Sequence, residues 1–249
     1  MDENYSGGGD DGDVPVVRAK ASHRKGRTAE VLRTPRVPTQ ERSRRRYQSI
    51  LDATQRLLNA ANIEDISLYD IAKEAEISPA SVHYLFNTVA AVHVELNRVY
   101  NDIITGQIIA AQTTLVGQQV STWQEWTRIS LDAARVHFNS NRPMCEILLG
   151  PALHRKSRVA NMQGSNTLGQ AALVNLKRVF MVPDIPGLEK NFMYAGEILD
   201  AFWSGAYSAR GYIDDETFEE TMKAIIGYLR NVLPETMRLI NPKAVLGAK

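Results

Sequence analysis

Beyond residue 40, apolar positions recur at spacings of three and four along almost the whole chain. That is the period of helices with one buried face. Ile50, Ala53, Leu57 and Leu58 predict a first helix over about 41–60. Ile71, Ala72 and Ala75, then Ile77, Val82 and Phe86, predict two short helices within Ser67–Phe86. Val92, Leu96, Val99, Ile103 and Ile104 mark a long helix over about 89–113. Another starts at Ser121 or Thr122 and carries Trp123, Trp126, Ile129, Ala133 and Phe138. A shorter one runs from Pro143 to about Arg155, bent or broken near Gly150-Pro151, and one over 165–182 is closed by Pro183 and Pro186. The last two cover 187–210 and the residues after Asp214-Asp215-Glu216, acids that suit a helix N-terminus. No convincing stretch alternates with the period of a strand and no repeat is present, so the expected class is all-α.

Residues 1–38 lack this periodicity, hold several Gly and Pro, and read as a disordered tail. The expected organisation is that tail, a helix-turn-helix unit over 39–88, a larger helical unit over 89–240 and a short tail over 241–249.

The informative segment is Ser67–Phe86. Ser67 followed by Asp70 is a capping-box-like start, and Ser78 followed by Pro79 is a second N-cap with proline at the first helical position. Two helices of about seven residues are too short to hold alone. Joined by a tight turn, they form the unit that reads a DNA major groove.

The set formed by Ile50-Leu51-Asp52-Ala53, Ser67 through Ala75, and Ile77-Ser78-Pro79-Ala80-Ser81-Val82 leading to Tyr84 and Phe86 resembles the DNA-binding domain of the tetracycline-repressor (TetR) family of bacterial regulators. The resemblance covers about 45 residues. It implies an N-terminal three-helix DNA-binding domain, a helical effector-binding and dimerisation domain, and a repressor that binds a palindromic operator as a homodimer. Three departures stand out. Glu76 occupies a turn position where the family usually has Gly, and a left-handed residue there would cost about 1 kcal/mol. His83 and Leu85 stand where tyrosines are usual, and Val89 where a lysine is usual. Two phosphate contacts are thereby altered.

Charge changes the picture at this point. The chain is +1 overall, but residues 1–17 sum to −5 and residues 18–46 to +9. Such a basic stretch reads either as a solvated leader or as an arm that neutralises phosphates or enters a minor groove. Arg44, Arg45 and Arg46 are expected on phosphates, with Arg33 and Arg36 as arm candidates. Within the unit, Ala80 and Ser81 would approach bases, and His83 and Tyr84 would reach bases or backbone. Ser67, Tyr69, Ser78, Asn87 and Thr88 would position it on phosphates.

In the larger unit, Trp123, Trp126, Phe138, Met144, Leu148 and Phe180 are candidates to line an effector cavity, with Arg128, His137, Arg142 or His154 as polar anchors. The implied effector is apolar or aromatic, with an anionic group left open. The family's dimer arrangement implies a self-interface on Leu199, Trp203, Ala206, Tyr207, Met222, Ile225, Leu229 and Val232; ordinary core is the alternative reading of the same seam.

Cys145, the single cysteine, excludes an internal disulfide and a multi-cysteine metal site, and reads as a buried inert thiol or a redox switch. No apolar run is long enough for a membrane span, the opening does not read as a signal peptide, and a cytoplasmic, nucleoid-associated protein is expected. Phosphate-loop, dinucleotide, nucleophile-elbow and zinc-protease motifs are missing from the sequence, so neither an enzyme nor a cofactor is expected. The alternative function is a helical ligand- or partner-binding dimer that touches DNA weakly and non-specifically through its basic tail.

Overall fold

The described residues of the computed structural model are 40–115, 120–151 and 155–240, and they build nine α-helices. The expected tails at 1–38 and 241–249, the arginines of the arm from Arg18 to Arg36, and His154 lie outside them. Within the described residues the only β-type pairing is a bridge between Phe180 and Leu239.

The head comprises α1 (Glu41–Leu58), a single 3-10 turn (Ile63–Asp65), α2 (Leu68–Glu74) and α3 (Pro79–Leu85). Its core is the predicted one: Ile50, Ile71, Val82 and Phe86 are wholly buried, and Tyr47 stacks on Phe86 at 5.1 Å. Each such side chain contributes about 2 kcal/mol by leaving water, which compensates for the shortness of α2 and α3.

The body comprises α4 (Val89–Leu115), α5 (Trp123–Asn139), α6 (Arg142–Leu148), α7 (Arg155–Val179), α8 (Leu188–Arg210) and α9 (Asp215–Leu229). Asp214 caps α9 by accepting from the Thr217 N–H at 2.7 Å, as the acidic triplet predicts. One core cluster runs continuously from the head through Leu96, Phe138, Met144 and Trp203, and a second gathers Trp123, Leu176, Phe180, Phe192 and Leu229.

α7 departs from expectation, starting at Arg155 rather than at 165. Its first turns carry polar and small residues that show no apolar period, yet they are buried against α4. Asn97 donates to Asn161 Oδ1 at 2.5 Å, Asn161 donates to the Leu148 carbonyl at 3.2 Å, and a Cβ at Gly164 would meet Asn101 at 2.6 Å. Amide pairing does there what apolar packing does elsewhere. Further along, α7 and α8 cross so closely that a Cβ on Gly169 would lie 2.3 Å from the Phe192 carbonyl oxygen. One on Gly196 would lie 2.5 Å from that of Ser165.

Candidate nucleic-acid interface

The geometry of the turn unit follows from its local chemistry. The Ser67 hydroxyl accepts from the Asp70 N–H at 3.2 Å, while Asp70 accepts from the Ser67 N–H at 3.0 Å. The Ser67 hydroxyl also donates to the Asp70 carboxylate at 2.5 Å, and this bond first, then that from the Ser67 N–H, holds the carboxyl below its ordinary range. Ser78 accepts from the Ser81 N–H at 3.3 Å, and the two hydroxyls lie 2.9 Å apart. Between the helices, Glu76 is left-handed with φ 55°, the conformation that glycine adopts without cost. Arg56 clasps the turn from α1, donating to the Glu74 carboxylate at 2.6 Å and to its carbonyl at 3.1 Å. Sequence reading missed this clasp, because a lone Arg–Glu pair eighteen residues apart carries no local signature.

With α3 fixed in this way, Ala80, His83 and Tyr84 stand exposed on its outer side, Tyr84 at 85%. Ser81 is half-buried beside them. Tyr69 on α2 is 68% exposed, and Ser67, Ser78, Asn87 and Thr88 are exposed at helix ends. Thr88 also caps α4, accepting from the Ala91 N–H at 3.1 Å. Arg44 and Arg45 are exposed and Arg46 is half-buried on the first turns of α1; Arg45 pairs with Glu41.

The head is tied to the body by two residues of α6, Arg142 and Glu146, the second of which the sequence did not single out. Arg142, expected as a ligand anchor, instead donates to the Leu58 carbonyl, to the Ala61 carbonyl at 3.0 Å and to Asn62 Oδ1 at 3.0 Å. Buried Glu146 accepts the Ile63 N–H at 3.2 Å and the Tyr207 hydroxyl at 2.6 Å.

No protein-family model matches the sequence, and no curated protein matches it either. Solved structures do match in three dimensions. A TetR-family transcriptional regulator from Streptomyces coelicolor superposes with a TM-score of 0.58 at 20% identity, over 76% of this chain and 99% of that one. The multidrug binding protein EbrR, complexed with imidazole, gives 0.52 at 19%, over 72% and 94%. The fatty acid degradation regulator FadR from Bacillus halodurans gives 0.53 at 15%, over 74% and 96%. This chain has the TetR-family fold.

In that TetR-family fold the body encloses an apolar cavity of about 120 Å³. Of the candidate residues, Trp126, Phe138 and Leu148 line it; Trp123, Arg128, His137, Met144 and Phe180 do not. Trp123 and Phe180 belong to the second core cluster, and the Trp123 indole donates to the Pro234 carbonyl at 2.9 Å. Met144 is sealed in the first cluster, Arg128 is exposed and paired with Glu219, and His137 is half-buried off the lining. Asp200 is the lining carboxylate, raised above its ordinary range by burial and set against Arg158 at 3.2 Å and Ser204 at 3.4 Å. Asp200 is one of three acids in 187–210, with Glu189 and Glu197, and nothing local in the sequence distinguishes it.

The expected self-interface also sorts differently. Trp203, Ala206, Tyr207, Met222, Ile225 and Leu229 are buried within the chain, so the core reading of that seam is the correct one for them. Leu199, Trp203, Ile225 and Leu229 line the cavity, and half-buried Val232 packs on the second cluster. The outer face of α8 carries a different stripe: Tyr194, Ala201, Phe202, Gly205 and Ala209, with Tyr212 just beyond. Among the described residues no helix is long and apolar enough to cross a membrane, and no cluster of His, Cys, Asp and Glu is arranged to hold a metal.

Proposed function

We propose that this chain is a sequence-specific DNA-binding transcriptional regulator that represses its targets. In this reading it binds a palindromic operator as a homodimer in the cytoplasm and is released by a small-molecule effector. The observation that carries the reading is the doubly capped α2–turn–α3 unit, which presents Ala80, His83 and Tyr84 outward beside the arginines of α1. Small side chains let a helix approach base edges, hydrogen-bonding ones discriminate among them, and the arginines neutralise phosphates.

The exposed stripe of α8 supports self-association, because small and aromatic side chains at helical spacing pack closely against a second helix. A two-fold dimer requires half-sites about 34 Å apart or a little more. The effector reading rests on the cavity, whose lining on α5 and α8 lies next to the Glu146–Tyr207 joint with the head.

Footprinting on the protein's own upstream region at physiological salt tests the proposal. The expected result is a defined, two-fold footprint that survives competitor DNA. Salt-sensitive retardation without sequence preference would instead support a ligand-binding dimer with adventitious DNA contact.

A further inference from the structure

The side chains of α3 restrict what its outer face can recognise. Val82 is wholly buried and Leu85 packs half-buried on the head core, while Ser81 is half-buried at the edge. That leaves Pro79, Ala80, His83 and Tyr84 exposed. Ala80 lies three and four positions from His83 and Tyr84, so the three share one side of the helix. At about 10 Å long, α3 spans about three base pairs.

Base edges in a major groove are read by few chemistries. Arg or Lys pairs with guanine and Asn or Gln with adenine through two hydrogen bonds, Asp or Glu accepts from cytosine, and apolar groups pack on the 5-methyl of thymine. The Pro79–Leu85 helix contains none of those charged or carboxamide residues. The Ser81 hydroxyl lies 2.9 Å from that of Ser78 and serves the cap. Asn87, the nearest carboxamide, follows the extended Phe86 at the trailing end of α3, whereas it is the leading end of a reading helix that meets base edges. The helix before it crosses the backbone, which gives Tyr69 and Lys73 of α2 to phosphates. At the leading end of α3 stand the Pro79 ring and the Ala80 methyl, both apolar, with single hydrogen bonds left to His83 and Tyr84.

We infer that the chain reads thymine by its methyl group: within the base pairs facing α3 in each half-site, a thymine 5-methyl packs against Ala80 and Pro79 and sets the base preference there. This rests on the regulator reading and names what α3 recognises in the operator.

Replacing thymine by deoxyuridine tests it, because uracil keeps the pairing and every hydrogen-bonding group and lacks only the methyl. Footprinting of the full chain first locates the half-sites. Fluorescence anisotropy at fixed salt then measures its affinity for synthetic operators in which one thymine position at a time carries uracil in both half-sites. At one position within the α3-facing base pairs, uracil should weaken binding about fourfold per methyl, or about 15-fold for the symmetric pair. Thymines outside the footprint should be indifferent. Ala80→Gly removes the protein's side of the contact, so it should weaken binding to the thymine operator and shrink the uracil penalty to about twofold. The uracil series leaves the protein unaltered and decides alone if that variant fails to fold. A footprint whose affinity ignores uracil at every α3-facing position, or a full uracil penalty in folded Ala80→Gly, would overturn the inference and leave the regulator reading standing. Absence of any sequence-specific footprint would overturn both.

Discussion

The Tyr207 hydroxyl donates to Glu146 Oε1 at 2.6 Å, while the other oxygen of the same carboxyl group holds the backbone N–H of Ile63 in the head. One side chain of α6 thus joins α8, four residues past cavity-lining Trp203, to the 3-10 turn that leads into α2. Removing the hydroxyl should be felt at both ends. We expect Tyr207→Phe to retain the helical circular dichroism spectrum but lose about 1.5–3 kcal/mol in urea titration, the range for a hydrogen bond to a charged partner. Operator affinity should also fall, since the head is held less firmly.

Glu76→Gly should stabilise the chain by about 0.5–1 kcal/mol, because glycine adopts the left-handed turn without a Cβ penalty. Glu76→Val should destabilise it, since a branched side chain tolerates that conformation worst. Guanidinium melts of the three proteins check the order.

Substitutions in the head should separate folding from reading. Ser78→Ala removes a cap and should cost about 1 kcal/mol of stability. Tyr84→Ala, at a site 85% exposed, should leave the melt unchanged and weaken operator binding. Arg45→Ala, whose pair with Glu41 is fully exposed in character, should not move the melt but should reduce the salt slope of DNA binding by about one.

The Cys145 thiol is buried, and desolvation together with the neighbouring Glu146 charge pushes it up to about 12. Thiolate is the reactive form. At pH 7.5 the native protein should therefore resist a thiol reagent over hours, and titrate one equivalent only when unfolded.

Asp70 and Asp214 sit at helix starts, with their carboxyl groups held below the ordinary 3.8 by the Ser67 and Thr217 hydrogen bonds respectively. Between the depressed and the ordinary value, the unfolded chain binds more protons than the folded one. Their contribution is therefore fully present above about pH 4 and is lost as pH falls through the lower, folded-state values. Thermal melts across pH 2–5 should fall more steeply for the unaltered protein than for a chain carrying Asp70→Asn and Asp214→Asn.

What was legible in the sequence was what depends on neighbours along the chain. Ser67 with Asp70, Ser78 with Pro79, and Glu76 between them specify their own geometry within a few residues, and each takes the form expected of it. What a helix meets across space was not legible. Phe202 and Trp203 are adjacent and equally apolar, yet one is 39% exposed and the other 1%. Both fit a helical period, and only packing across space, such as the edge-on contact of Trp203 with Phe138 of α5 at 5.4 Å, decides which turns inward. The early start of α7 was hidden for a related reason. Asn161 and Gly164 are poor helix residues by themselves, and they are buried because Asn97 and Asn101 face them from α4.

Gly169 and Gly196 leave two backbones in contact with nothing compressible between them. Helices that meet in this way have no side-chain cushion to flatten and no rotamer to change, so they behave as one beam. A guest that swelled the cavity would not bend that beam, and the displacement would go to the amide-paired α4, to α5, to the short α6 or to α9. Two of these four carry the head directly: α4 continues from α3, and α6 holds α1 and the 3-10 turn. Stiffness on one side of the body thus gives direction to motion on the other.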